Sequence, residues 1–281
     1  MSGRAVLAAW LLCAGLLAAT VLALRLHEPT PPPLFHGAQI AVIGSSQTMY
    51  GIAKQGTGTT GLTGDGRSHY RIGLPAISEP ESLALLARAI NERTPQVLIE
   101  VWPLVYDLQA LQDRGRCDQP GRTARIAAKR AQLALTDAVG RLLRTATSTQ
   151  DGGDPLGPGV DLPAQAATAA DGYALVPRPT CAMAQLDRLA DRARAQGTQV
   201  ILLAPPRSAM AEQQLGPART ARLDQAARQL ATRLQVPLFA PASPWPDSRF
   251  VSLGHMGHAG RARLQADLRA WLRDQPTAGP Q

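Results

Sequence analysis

Three apolar runs restrict the fold more than any other feature of the chain: QIAVIGS (Gln39 to Ser45), QVLIEVW (Gln96 to Trp102) and TQVILLAP (Thr198 to Pro205). Each is too continuous for a strand with one wet face, and such runs suit a parallel sheet buried on both sides. SHYRIGL (Ser68 to Leu74) and VPLFAP (Val236 to Pro241) are weaker candidates. Helical patterns lie between them at Pro80 to Arg93, Arg122 to Thr145, Ala182 to Gln196, Arg219 to Leu234 and Ala259 to Arg273. This alternation predicts an α/β fold, a flavodoxin-like doubly wound parallel sheet. The stretch from Thr147 to Gly172 is rich in Gly, Pro, Ala and Asp and has no apolar period, so a surface insertion is expected at about 146–180. With 281 residues, 45% hydrophobic and only 4% aromatic, the chain has material for one domain with an aliphatic core.

The amino-terminal part reads differently. Ala5 to Leu24 is apolar apart from Thr20 and is flanked by Arg4 and Arg25, long enough for a membrane-crossing helix. Residues 1–26 are therefore expected to be a membrane anchor. The alternative is a signal peptide cleaved after Val21-Leu22-Ala23, although the run exceeds the usual apolar core of such peptides. HEPTPPPLFHG then forms a proline-rich linker at 27–37, the α/β domain occupies 38–275, and 276–281 form a disordered tail. Arg4 and the amino terminus favour a cytoplasmic leading end, which puts the domain in the periplasm behind a single inner-membrane span. In that oxidising compartment Cys117 and Cys181 are a candidate disulfide closing the ends of the insertion, two separate buried thiols being the alternative. The net charge of +8 is spread over arginines on helical stretches, which gives no support to nucleic-acid binding.

Two stretches carry the candidate chemistry. Gly44-Ser45-Ser46 sits at the carboxyl end of the first strand, where open parallel sheets bind ligands, although a serine there is also a common helix N-cap. A serine hydroxyl becomes a useful nucleophile only beside a base. His27 and His36 lie in the linker region and His69 opens a strand, which leaves His255 and His258 in the loop before the last helix. GTGTTG (Gly56 to Gly61) has dinucleotide-binding spacing but follows a helix instead of a strand, and it reads as a loop. The two histidines have no carboxylate or cysteine cluster beside them, so neither a metal nor another cofactor is expected.

Together these stretches resemble the SGNH, or GDSL-like, hydrolases, and among them the membrane-anchored bacterial acyltransferase-like branch that decorates exported polysaccharides. The resemblance implies Ser46 as nucleophile and His255 as base, with Gly260 at the family's spacing after the histidine. It implies an oxyanion site made by the backbone N–H groups of Ser46 and Gly73, the glycine of RIGLPAISEPES. TPQVLIEVWPL and VILLAPPRSA resemble later strands of the family. Two departures stand out: Ser252 occupies the place of the aspartate that orients the histidine, and EVWPL offers Trp102 and Pro103 where an asparagine donor is usual. Ser252 itself, a backbone carbonyl or Asp247 is then the candidate orienting group. The implied function is a serine esterase or O-acyltransferase acting on acyl, chiefly acetyl, groups of an envelope or exported polysaccharide. Its expected partners are acylated glycan, the inner membrane and a membrane acyltransferase or polysaccharide synthase complex. The competing reading is an inactive SGNH-like binding or assembly protein of the same kind of system.

Overall fold

The computed structural model describes residues 33–57, 60–74, 77–105 and 183–275. Each apolar run forms a wholly or largely buried strand: β1 (Ile40–Gly44), β4 (Gln96–Glu100) and β5 (Gln199–Leu203). They are joined by β2 (Gln55–Gly56), β3 (His69–Gly73) and β6 (Leu238–Phe239) in the order β2-β3-β1-β4-β5-β6. All neighbouring pairs are parallel except β2–β3. Without the short antiparallel edge strand this is the flavodoxin order.

Alternate residues of each strand feed two cores. Ala41, Ile43, Val97 and Ile99 pack on one face against α2 (Glu79–Asn91), α4 (Met183–Ala195) and α6 (Pro217–Leu234). Ile40, Val42, Leu98 and Ile201 pack on the other against Leu264, Leu268 and Leu272 of α7 (His258–Arg273). A sheet covered on both faces is what the continuous apolar runs required.

Several elements differ from the sequence reading. The weak strand from Val236 to Pro241 contracts to Leu238–Phe239 between prolines 237 and 241, which have no N–H for a ladder. Two short helices, α3 (Trp102–Val105) and α5 (Ala209–Leu215), and the hairpin β7 (Phe250–Ser252) and β8 (His255–Met256) were not expected. His255 thus sits on a strand, and His258 is the first residue of α7, whereas a loop had been expected for both. The packed body begins before Gly37: Phe35, assigned to the linker, is buried, because the Glu92 carboxylate accepts the N–H groups of Leu34 and Phe35 at 2.7 and 3.1 Å. Among the described residues no helix is long and apolar enough to cross a membrane. The expected anchor, the helix at Arg122 to Thr145, the insertion, Cys117, Cys181 and the tail lie outside the described residues.

Candidate active site

The chain leaves β1 for β3 on one side and returns to β4 on the other, so β1 ends at the sheet's switch point, the usual position of a ligand crevice. Gly44-Ser45-Ser46 occupies that end and opens α1 (Ser46–Gly51). The two serines have separate tasks. Ser45 is the N-cap: its Oγ accepts the Gln47 N–H at 3.0 Å and donates to Glu100 Oε1 at 2.7 Å. Its N–H donates to Glu100 Oε2 at 2.7 Å, and Thr48 Oγ1 donates to the same oxygen at 2.6 Å. Ser46, half-buried at the first helical position, makes no hydrogen bond through Oγ with any described residue. Capping therefore falls to one serine and the other hydroxyl stays open.

Glu100 is the fulcrum of this turn. It closes β4, is 1% exposed, and receives three donors from the chain around Ser46. Burial pushes its carboxyl above the ordinary glutamate value, although the bonds from Thr48 and Ser45 pull the other way. Gly44 has no room for a side chain, since a Cβ would stand 2.6 Å from Glu100 Oε2 and would collide with Thr48 Oγ1. Nothing about Ser46 required a glutamate here. The signal that could have exposed it is a lone charge at the end of QVLIEVW, because buried acids are rare unless paired.

Gly73 ends β3 opposite Gly44, and a Cβ on it would meet Met49 Cβ of α1 at 2.7 Å. Along β3 the Leu74 N–H bonds the Gly44 carbonyl and the Arg71 N–H bonds the Lys54 carbonyl. Gly73 has the parity of Arg71, so its N–H points away from β1. In EVWPL, Trp102 is buried beneath the Arg207 guanidinium, 5.4 Å from its ring centre, and Pro103 has no N–H to offer.

His255 arrives on the β7–β8 hairpin, where Ser252 is its direct partner in register. Ser252 Oγ lies 2.7 Å from Nδ1, and Nε2 has no hydrogen bond to a described residue. Burial alone holds this imidazole below its ordinary pKa, with no neighbouring charge to offset it. The hairpin is closed on itself at one point and tied to the body at two. Ser208 Oγ donates to the Leu253 carbonyl at 3.2 Å, the Gly257 N–H donates to the Arg249 carbonyl at 2.8 Å, and Gly260 packs against that same carbonyl too closely for a side chain. Asp247 is engaged elsewhere, accepting the Met210 N–H of α5 at 3.0 Å.

His255 meets the serine-bearing helix α1 at Tyr50. Tyr50 lies four residues after Ser46, hence on the same helical face, and its ring is 4.4 Å from that of His255. Ser46 Oγ and His255 are not hydrogen-bonded to each other, a looseness common in sites free of substrate. His69, by contrast, is a core residue: it is buried, its Nε2 lies 3.2 Å from the Ala53 carbonyl, and burial lowers its pKa. Among the described residues no group of three or more His, Cys, Asp or Glu side chains could hold a metal ion.

No protein-family model matches the sequence, and a comparison with curated proteins finds no match. Solved structures similar to the chain include TesA, at 13% identity and TM-score 0.39, covering 83% of this chain and 97% of that one. A catalytic mutant of the acetylxylan esterase Axe2 from Geobacillus stearothermophilus aligns at 13% identity and TM-score 0.44, covering 89% and 97%. A protein described as an acylhydrolase, from Bacteroides fragilis, aligns at 9% and TM-score 0.41, covering 83% and 86%. By its own sheet order the chain has a flavodoxin-like α/β fold, with Gly44-Ser45-Ser46 and Gly73 at the carboxyl ends of neighbouring strands and His255 on a separate two-stranded hairpin.

Proposed function

We propose that the chain is a serine esterase or O-acyltransferase that works through an acyl-serine. The observation that carries this reading is the division of labour at the switch point. Ser45 and Nδ1 of His255 are taken up in structure, while Ser46 Oγ and Nε2 are left open on adjoining elements. His255 Nε2 takes the Ser46 proton as Oγ bonds to the ester carbonyl carbon, and the oxyanion faces the Ser46 N–H. Collapse breaks the ester C–O bond, and the proton on Nε2 passes to the departing alkoxide. Water or a sugar hydroxyl then attacks the acyl-serine with His255 as base, giving hydrolysis or transfer.

The apolar amino-terminal run and its flanking arginines support an inner-membrane tether with the domain in the periplasm. A tethered domain meets polymer where it emerges, which favours acyl, chiefly acetyl, groups of an envelope or exported polysaccharide as substrate. A membrane acyltransferase or polysaccharide synthase complex is the matching partner. The full-length protein in detergent, mixed with an activated acetyl ester, should show a burst of one alcohol per site and gain one acetyl group by intact mass. Ser46→Ala should abolish both with the fold retained. The missing Ser46–His255 hydrogen bond favours the second reading, an inactive binding or assembly module, and folded wild-type protein that never acylates would establish it.

A further inference from the structure

A histidine that accepts a proton from serine becomes a cation, and here no carboxylate stands beside it. Ser252 gives Nδ1 a neutral partner, and burial disfavours the charged ring. The remaining contact covers the ring's face. Tyr50 and His255 have centroids 4.4 Å apart with planes inclined at 35°, closer to an offset stack than to an edge-on pair. The face of an aromatic ring attracts a cation, most strongly where water is excluded. Three neighbouring groups make contacts that lead away from the imidazole. Arg261 of α7 donates to the Tyr50 carbonyl at 2.8 Å, the Arg249 guanidinium lies over Trp245 at 5.0 Å, and Asp247 holds the Met210 N–H. His258 opens α7, and no charge contributes to the shift of His255.

We propose that Tyr50 is a positioning residue that supplies what the absent aspartate supplies in the resembling family. Its ring fixes the plane of His255 in front of Ser46, one helical turn away, and stabilises the imidazolium once formed. The kinetic half of this inference rests on the acyl-serine reading; the electrostatic half does not.

The test is an NMR titration of His255 in the full-length protein, with the resonance assigned by its loss in His255→Gln. Tyr50→Phe keeps the aromatic face and should leave the His255 pKa in place. Tyr50→Leu keeps burial but removes the face and should lower the pKa by about one unit. Tyr50→Trp, which enlarges the face, should raise it and keeps the test open if the leucine variant fails to fold. Acyl-enzyme formation should fall about tenfold in Tyr50→Leu, hold in Tyr50→Phe, and recover when Ser252→Asp is added to Tyr50→Leu. A leucine variant that titrates at or above wild type, or a phenylalanine variant that falls as far as leucine, would overturn the proposal. If the pKa values move as expected but wild type forms no acyl-enzyme, the electrostatic role of Tyr50 stands and the catalytic reading falls.

Discussion

At Ser252 the chain sets a neutral hydroxyl 2.7 Å from Nδ1 of His255, where an SGNH-type site would hold a carboxylate. A hydroxyl holds the ring's orientation, but it can donate or accept and so does not select the tautomer as a carboxylate would, and it adds no negative charge; burial prevails and the pKa sits below the ordinary 6.5. The neutral, basic form of His255 therefore persists below pH 6.5, and acylation should rise with pH along a single inflection beneath that value. Ser252→Asp should move the inflection upward by about one to two units, because an anion beside the ring favours its protonated form. On the alkaline plateau the same change should speed acylation by about tenfold or more, since the imidazolium of the transition state gains a counter-charge. A pH–rate profile of the burst phase measures both. An inflection that stays in place would mean that the introduced carboxylate does not reach Nδ1.

The first turn of α1 depends on a residue more than fifty positions away: Glu100 gathers the Ser45 N–H, the Ser45 hydroxyl and the Thr48 hydroxyl. Glu100→Ala strands three buried donors and should cost about 3 to 5 kcal/mol by urea unfolding, with acylation reduced more than tenfold as Ser46 loses its support. Glu100→Gln keeps acceptor and donor capacity and should retain most activity. It should also change how stability depends on pH. The folded pKa of Glu100 lies above its ordinary 4.5, so the folded state binds the proton more tightly, and wild type loses stability as pH rises from 4.5 through the folded pKa. The glutamine variant lacks that decline. The same elements show what the sequence makes legible. The strands β1, β4 and β5 and the helices α2, α4, α6 and α7 could be read because continuous or periodic apolar residues are themselves what the two cores bury. The six-residue α1 and the β7–β8 hairpin are too short to declare themselves by period or propensity. They are held by Glu100 and Ser208, partners that sequence spacing does not connect. Short motifs single out Ser46, Gly73 and His255 as candidates, whereas the contact of Tyr50 with His255 and the bonds of Glu100 to the serine turn come into view only once α1 is laid across the sheet edge.

Across the whole molecule, chain entry and chemistry occupy opposite poles of the sheet. Phe35 enters the core where the Glu92 carboxylate, just past the end of α2, takes its N–H, close to where β4 begins at Gln96. Ser46, Gly73 and the hairpin bearing His255 lie at or beyond the strands' carboxyl ends, about 16 Å away along a five-residue strand. The poles are joined by rigid strands, so a defect at one should weaken the body without reshaping the other. Phe35→Ala in the full-length protein should cost about 3 to 5 kcal/mol in urea unfolding through the cavity it leaves, yet keep the burst amplitude per folded molecule. Ser46→Ala should do the reverse, removing the burst at nearly unchanged stability, since its hydroxyl bonds no described residue. Active-site titration of the two variants beside their unfolding curves makes the comparison. A burst lost in Phe35→Ala while the protein is still folded would show that the entry segment and the nucleophile turn are mechanically coupled, contrary to the separation drawn from the sheet.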